Sequence, residues 1–231
     1  MINFVWFDLG YTLVYLNREE VYQERLSDVG VSKTKEEITL AYHLTDKFFM
    51  REHPGLLAKD RELYAEYYQS KLHEYLRLED DVLQVQALAT RNKNQVKWKA
   101  FKETLPTLQQ LKQMGIGLGL ISNWDLSARD VLKQTNIFPL LDYIIVSSEV
   151  GMEKPDKGIF EYALNEANVQ VDECLYVGDN YYDDVIGSRK VGMDSVVINP
   201  FGKVGMEELK NDVPLITNVK EILPIIQAVH V

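Results

Sequence analysis

The chain has 231 residues, 46% hydrophobic and 26% charged, which gives room for one large domain or for a core with a smaller insert. A net charge of −10 argues against nucleic acid as a general partner, because a phosphate backbone demands a basic stripe. No apolar run approaches a membrane span, and the single cysteine, Cys174, excludes an intrachain disulfide and reads as a small core residue beside Leu175-Tyr176-Val177. A reducing compartment and a first strand with no basic leader ahead of it make the cytoplasm the expected location.

The first element is an apolar strand over residues 2–9 carrying Trp6 and Phe7, with Asp8 at its end and Gly10 and Thr12 just beyond. A run this apolar predicts a strand covered on both faces, as in a parallel sheet flanked by helices. From about Asn17 to about Trp98 no strand signal appears and apolar residues recur at helical spacing. Val21, Tyr22, Leu26 and Val29 mark one helix, closed by Gly30. Ser32 or Thr34 caps a second, whose inner face carries Ile38, Ala41, Tyr42, Thr45 and Phe49 until His53-Pro54-Gly55 breaks it. A third runs from about Asp60 with Leu63, Tyr64, Tyr67, Tyr68, Leu72 and Tyr75 facing inward. Asp80 and Asp81 open a fourth, with Val82, Val85 and Leu88 inside. In this stretch the tyrosines read as bundle core and His43 and His53 as structural. Arg91, Lys93, Lys97, Lys99 and Lys102 read as a solvated helix face or a connection.

From Leu105 helices and strands alternate: a helix with Leu105, Leu108 and Leu111 stopping at Gly115, a strand over Ile116–Ile121 ending in Ser122-Asn123, then a helix near Ala128–Lys133 and a strand over Tyr143–Val146. Next come a helix over Gly158–Glu166, a strand over Leu175–Val177 ending in Gly178-Asp179, a helix over Val185–Val191 and a strand over Ser195–Ile198. A short strand at Leu215-Ile216 precedes a last helix with Val219, Ile222, Leu223 and Ile226, in which Pro224 predicts a kink or an early start. Repeated β-α units imply an α/β fold with a Rossmann-like, doubly wound parallel sheet, built from residues 1–16 and 99–231. The all-helical insert of residues 17–98 enters just after the strand that bears Asp8, a position suited to a lid over the carboxyl edge of the sheet.

Ligands bind such sheets beyond the carboxyl ends of the strands. Four polar clusters are expected at that edge: Asp8 with Thr12, Ser122 with Asn123, Lys154 before Pro155, and Gly178-Asp179 followed by Asp183 and Asp184. The carboxylates of Asp8, Asp179 and Asp183 or Asp184 are hard oxygen ligands that suit Mg²⁺, and no His or Cys stands beside them to favour zinc. Ser122 and the Asn123 backbone N–H can donate to an anionic oxygen, and Lys154 supplies a point charge. Together these groups describe phosphoryl transfer, with a carboxylate as nucleophile and metal and lysine neutralising the transferred group. Ser122 could instead be a helix cap, Lys154 a surface residue, and either Asp183 or Asp184 the cap of the helix beginning at Val185. Tyr181 and Tyr182 flank that acidic pair, and Trp124 follows Asn123 directly, where it could shape the pocket.

These residues resemble the motifs of the haloacid dehalogenase (HAD) superfamily. Phe7-Asp8-Leu9-Gly10-Tyr11-Thr12-Leu13 is similar to the first motif, Leu120-Ile121-Ser122-Asn123 to the second and Gly151-Met152-Glu153-Lys154-Pro155-Asp156 to the third. Val177-Gly178-Asp179 through Asp184, with Gly187 and Val191-Gly192-Met193, is similar to the fourth. The helical insert resembles the family's C1-type cap. The resemblance implies a Mg²⁺-dependent phosphatase acting on a small phosphorylated metabolite through an aspartyl phosphate on Asp8. It further implies Mg²⁺ held by Asp8, the Gly10 carbonyl and Asp179, with Asp184 orienting metal waters ahead of Asp183. One departure stands out: phosphatases of this family usually carry a second Asp as general acid/base where this chain has Gly10. That opens substrates with good leaving groups, a proton donor elsewhere (Tyr11, His43 or His53), a metal-free dehalogenase, or a non-catalytic binding protein. Neither substrate identity nor oligomeric state is readable.

Overall fold

The computed structural model describes residues 1–78 and 96–229. The predicted fourth helix at Asp80 and Asp81, and Arg91 and Lys93 of the basic stretch, lie outside the described residues. The chain divides into two compact units, residues 1–15 with 100–231 and residues 16–99.

The first unit is built on a six-stranded sheet in which every neighbouring pair is parallel. Strand β1 (Phe4–Phe7) is central and buried throughout. It lies between β4 (Gly117–Ser122) and β6 (Cys174–Gly178), Phe7 standing opposite Leu120 on one side and Val177 on the other. From β4 the sheet grows outward to β5 (Tyr143–Val146); from β6 it grows the other way, through β7 (Asp194–Ile198) to β8 (Leu215–Ile216). The order therefore reverses around β1, which makes its carboxyl end the topological switch point.

The strand sequences explain this arrangement. On one face Phe4 and Trp6 pack with ring centroids 4.7 Å apart. They need Gly117 and Gly119 beside them, since a Cβ at either glycine would lie 2.3 Å from an aromatic ring atom. Phe4, Trp6, Ile121, Ile145, Cys174 and Tyr176 form one core with Ile159, Phe160 and Ala163 of the helix Lys157–Ala167. Burial pushes the Cys174 thiol up to about 11, so it is a core group rather than a nucleophile. The last helix, Ile222–Val229, follows a 3₁₀ turn over Val219–Glu221, so Pro224 falls in its first turn, where the missing N–H costs nothing.

The second unit holds α1 (Arg18–Asp28), α2 (Lys35–Glu52) and α3 (Ala65–Leu76). Thr34 and Glu37 form a reciprocal capping box at the start of α2. Tyr22, Leu26, Ile38, Ala41, Tyr42, Phe49, Tyr68, Leu72 and Leu76 form the core. Within it Arg18 pairs with Asp46, which also accepts from the Tyr68 hydroxyl, and the guanidinium lies 4.2 Å over the Tyr42 ring. Two expectations fail. Leu63 is 71% exposed because it stands in a short 3₁₀ turn (Arg61–Leu63) ahead of α3, and Tyr67 is 43% exposed because it falls beside the buried row of Tyr68, Leu72 and Leu76 on that helix. The second departure is that residues 14–16 and 98–100 are not featureless. They form strands β2 (Val14–Leu16) and β3 (Trp98–Ala100), a two-stranded ribbon inside which both chain crossings between the units fall.

Candidate active site

Asp8 stands one residue past β1, and its N–H donates to Val177 O at 2.9 Å, tying it to the end of β6. Its Oδ1 accepts from Ser122 Oγ at 2.9 Å and from Lys154 Nζ at 2.8 Å. Ser122 is the last residue of β4, and its hydroxyl bonds to this carboxylate rather than serving as a helix cap. Lys154 is 3% exposed, so it is no surface lysine. Asn123 places it: Asn123 Nδ2 donates to Lys154 O, and Lys154 N donates to Asn123 Oδ1, both at 2.8 Å. The Asn123 side chain is thus spent on the Lys154 backbone.

An ammonium has three donors. Those of Lys154 meet Asp8 Oδ1, Asp184 Oδ1 at 2.6 Å and the Tyr176 hydroxyl at 2.9 Å. Asp184 reaches this point by lying across the end of β6: a Cβ on Gly178 would sit 2.1 Å from Asp184 Oδ2. That oxygen instead accepts from Asn180 N at 2.9 Å. The segment Tyr181–Val185 is a π-helical turn leading into a short α-helix, Ile186–Arg189. Its cap is Asn180, whose side chain accepts from Tyr182 N and Asp183 N. Neither Asp183 nor Asp184 caps this helix. An Asn directly before the turn takes the role and leaves both carboxylates to the site.

Asp179 and Asp183 are also buried, at 8% and 7% exposure. Asp183 Oδ2 accepts from Asn180 Nδ2 at 2.8 Å, while its Oδ1 is buried with no hydrogen-bond partner. Beyond Asp8, Tyr11 takes a left-handed φ of 54°, and the Thr12 hydroxyl is buried without a hydrogen-bond partner. Gly10 opens this turn and contributes no side chain. Tyr182 donates to Glu208 at 3.0 Å and Trp124 Nε1 to Ser127 Oγ at 3.0 Å, so neither ring tip enters the Lys154 network.

Two carboxylates, Asp8 and Asp184, thus meet one ammonium, and the buried Asp183 lies within the field of all three and of Asp179. Burial, opposed by Lys154 and reinforced by Asp184, raises the Asp8 pKa above the usual carboxylate value. Burial pushes Asp183 up to about 7, with Asp184 and Asp8 adding to the effect against Lys154. Burial alone would lower Lys154, but Asp184 and Asp8 hold it well above the ordinary lysine value. Such a surplus of negative charge, with one orphaned buried carboxylate oxygen, fits a hard divalent cation. Among the described residues no three carboxylate, histidine or cysteine groups form a ready metal cage. Mg²⁺ does not need one, since it is held by one or two carboxylates together with substrate phosphate and water.

Sequence reasoning missed Tyr176 and Asn180. Tyr176 reads as one more apolar residue of β6, whereas Asn180 carried a legible signal, an Asn just ahead of a helix.

A parallel sheet whose order reverses at an acidic strand end, with a helical insert after the first strand, defines the class. Residues 7–198 match the haloacid dehalogenase-like hydrolase family, and the chain belongs to it. The α1–α3 insert is consistent with a C1 cap. Among relatives, glyceraldehyde 3-phosphate phosphatase of Methanopyrus kandleri is 34% identical over 115 residues, 49% of each chain. The chain spans about half the length of the curated relatives it matches. YfnB of Bacillus subtilis, in a crystal form bound to magnesium, superposes with a TM-score of 0.62 at 19% identity, over 98% of this chain and 99% of that one. A 2-haloacid dehalogenase of Pseudomonas syringae gives 0.59 at 22% identity, over the full length of both. Likeness at this identity shows the fold alone, and the chemistry has to be read from the site.

Proposed function

We propose that this chain is a Mg²⁺-dependent phosphatase of small phosphorylated metabolites that works through an aspartyl phosphate on Asp8. The observation that carries this reading is the convergence of Ser122 Oγ and Lys154 Nζ on one oxygen of Asp8, with Asp184 behind the ammonium. Asp8 attacks phosphorus and the leaving oxygen departs; water then hydrolyses the acyl phosphate. Ser122 and the Asn123 N–H donate to the phosphoryl oxygens, and Lys154 offsets their charge. Mg²⁺, held by Asp8, Asp179 and the Gly10 carbonyl with Asp184 behind them, would supply the positive charge that lets a carboxylate approach a phosphate dianion. Asp183, with its orphaned oxygen, would stand second to Asp184 in orienting the waters of that ion.

Dehalogenation at carbon gives the extra buried carboxylates nothing to do, whereas phosphate with a metal uses them. No helix among the described residues is long and apolar enough to cross a membrane. The net charge of −10 disfavours a nucleic-acid partner. A cytoplasmic location accords with the single buried thiol.

The test is phosphate release from an aryl phosphate, with Mg²⁺ and with chelator. Turnover is expected with Mg²⁺ alone and lost in Asp8→Asn, which should melt like the parent. Halide release from a 2-haloacid without metal would replace this reading by dehalogenation. Mg²⁺ binding with no turnover across a broad panel of phosphate esters would make the chain a non-catalytic binder.

A further inference from the structure

Tyr176 stands on β6 opposite Trp6, with its ring edge-on to Phe160 at 5.4 Å and none of its surface exposed. On packing grounds a phenylalanine would serve there. Its hydroxyl, however, accepts from Lys154 Nζ at 2.9 Å and donates to Ile121 O at 2.8 Å, with Asp184 Oδ1 at 3.2 Å. The two acidic partners of Lys154 are the groups whose surroundings change during the proposed reaction, one becoming phosphorylated and the other facing the cation. Tyr176 is the one partner of the ammonium that stays neutral and fixed, anchored to the backbone of β4, the strand that also carries Ser122.

We propose that Tyr176 is a positioning residue that holds the Lys154 ammonium in the phosphoryl site while Asp8 changes charge. This rests on the phosphatase reading for its kinetic consequence but not for its structural one. Without the hydroxyl, one Lys154 N–H and the Ile121 carbonyl lose their partner inside a closed core, and the ammonium is free to settle onto Asp184. The loss falls on the step in which Lys154 must follow the transferred group, so kcat suffers more than KM.

The experiment compares the full chain with Tyr176→Phe by steady-state kinetics on an aryl phosphate, thermal melts, and ¹H–¹⁵N spectra of lysine NH₃⁺ groups. The Lys154 signal is assigned by its disappearance in Lys154→Arg. The expected result is a kcat lower by roughly tenfold or more, the scale of one hydrogen bond to a charged group. KM should change by less than about twofold, the melt should stay cooperative, and the Lys154 protons should exchange faster with water. A lower melting temperature with kcat and Lys154 exchange unchanged would make Tyr176 a packing residue and overturn the proposal. If the parent releases no phosphate, the phosphatase reading fails by itself. The NH₃⁺ exchange then decides the positioning claim, and an unaltered signal sinks it. Should Tyr176→Phe fail to fold, 3-fluorotyrosine at position 176 keeps the hydroxyl but weakens it as an acceptor. Faster Lys154 exchange is then expected, and unchanged exchange is the overturning result.

Discussion

Lys154 and Asp184 face each other at 2.6 Å with 3% and 1% of their side chains exposed. Taking both ions out of water costs most of what their attraction returns, so the pair adds little net stability, but losing one partner strands the other. Here Lys154 serves two buried carboxylates at once, since Asp8 lies 2.8 Å from the same nitrogen. Lys154→Met should therefore abolish turnover and also cost about 3–5 kcal/mol of stability, measured by urea unfolding. Lys154→Arg keeps the charge and should recover much of the stability but not the rate, because a planar fork cannot reproduce three diverging donors. An unchanged unfolding midpoint in Lys154→Met would mean that the carboxylates protonate at no cost.

Gly178 tests how tightly the end of β6 is fitted to Asp184. The alanine Cβ would lie 2.1 Å from Asp184 Oδ2 and 2.4 Å from its Cγ. The carboxylate must move, and with it the contact to Lys154. Gly178→Ala is expected to lose about 1–3 kcal/mol, the usual cost of overpacking a closed site, and to lower kcat by roughly tenfold or more through the displaced Asp184. Wild-type kinetics in this variant would show that the Asp184–Lys154 contact is dispensable.

The fold was legible because the texture of the chain changes twice, from strand to helical spacing after the first strand and to alternating elements after Leu105. The apolar runs that became β4, β5 and β6 are bounded by Gly, Asp or Ser, and each boundary fell within two residues of the structure. The β2–β3 ribbon was not legible, since three-residue strands carry no period to read. Leu63 misled for a related reason: a 3₁₀ turn advances the chain by 120° per residue, and the phase of α3 cannot be extrapolated back through it.

In the site, Asp8, Ser122 and Asp179 were legible because polar residues terminate apolar strands, and the parallel topology puts strand ends on one edge. Lys154 was legible as a charge near that edge but not as a buried one, because it comes from a loop whose backbone is held by Asn123. Tyr176 was out of reach: a tyrosine inside an apolar strand reads as core, and only the folded loop shows that its hydroxyl meets an ammonium. The acidic pair after Asp179 was open to two readings, metal partner or helix cap, and the π-helical turn assigns the cap to Asn180.

His73 makes the helical unit acid-sensitive. Its Nε2 lies 2.9 Å from the Tyr22 hydroxyl, beside the Gln69 amide, and burial lowers its pKa. A histidine depressed in the folded state contributes stability that is complete above its unfolded pKa of about 6.5 and is lost as pH falls through the lower folded value. Buried Asp183 and Asp8, whose folded pKa values are raised, act with the opposite sign, so the readout is the difference: between pH 8 and pH 5 the melts of the full chain should lose more, or gain less, than those of His73→Gln. Equal slopes in parent and variant would place the acid sensitivity elsewhere.

Gly10 offers the sharpest functional prediction. On the proposed reading no side chain two residues past Asp8 can protonate a leaving oxygen, and acid–base help of that kind is typically worth ~10²–10⁴-fold. The parent should then favour phosphates whose leaving group departs without a proton, acyl and aryl phosphates, over alkyl phosphates. Gly10→Asp places a carboxyl group at that position while keeping the backbone carbonyl for the cation. Its expected effect is selective: alkyl phosphate turnover rises while aryl phosphate turnover changes little, so the ratio of the two kcat/KM values narrows. Metal affinity, followed by Mg²⁺ titration, should stay within a few-fold of the parent. If the parent already hydrolyses alkyl and aryl phosphates at similar rates, another group donates the proton. Tyr11, with its left-handed backbone beside Gly10, is then the first side chain to replace.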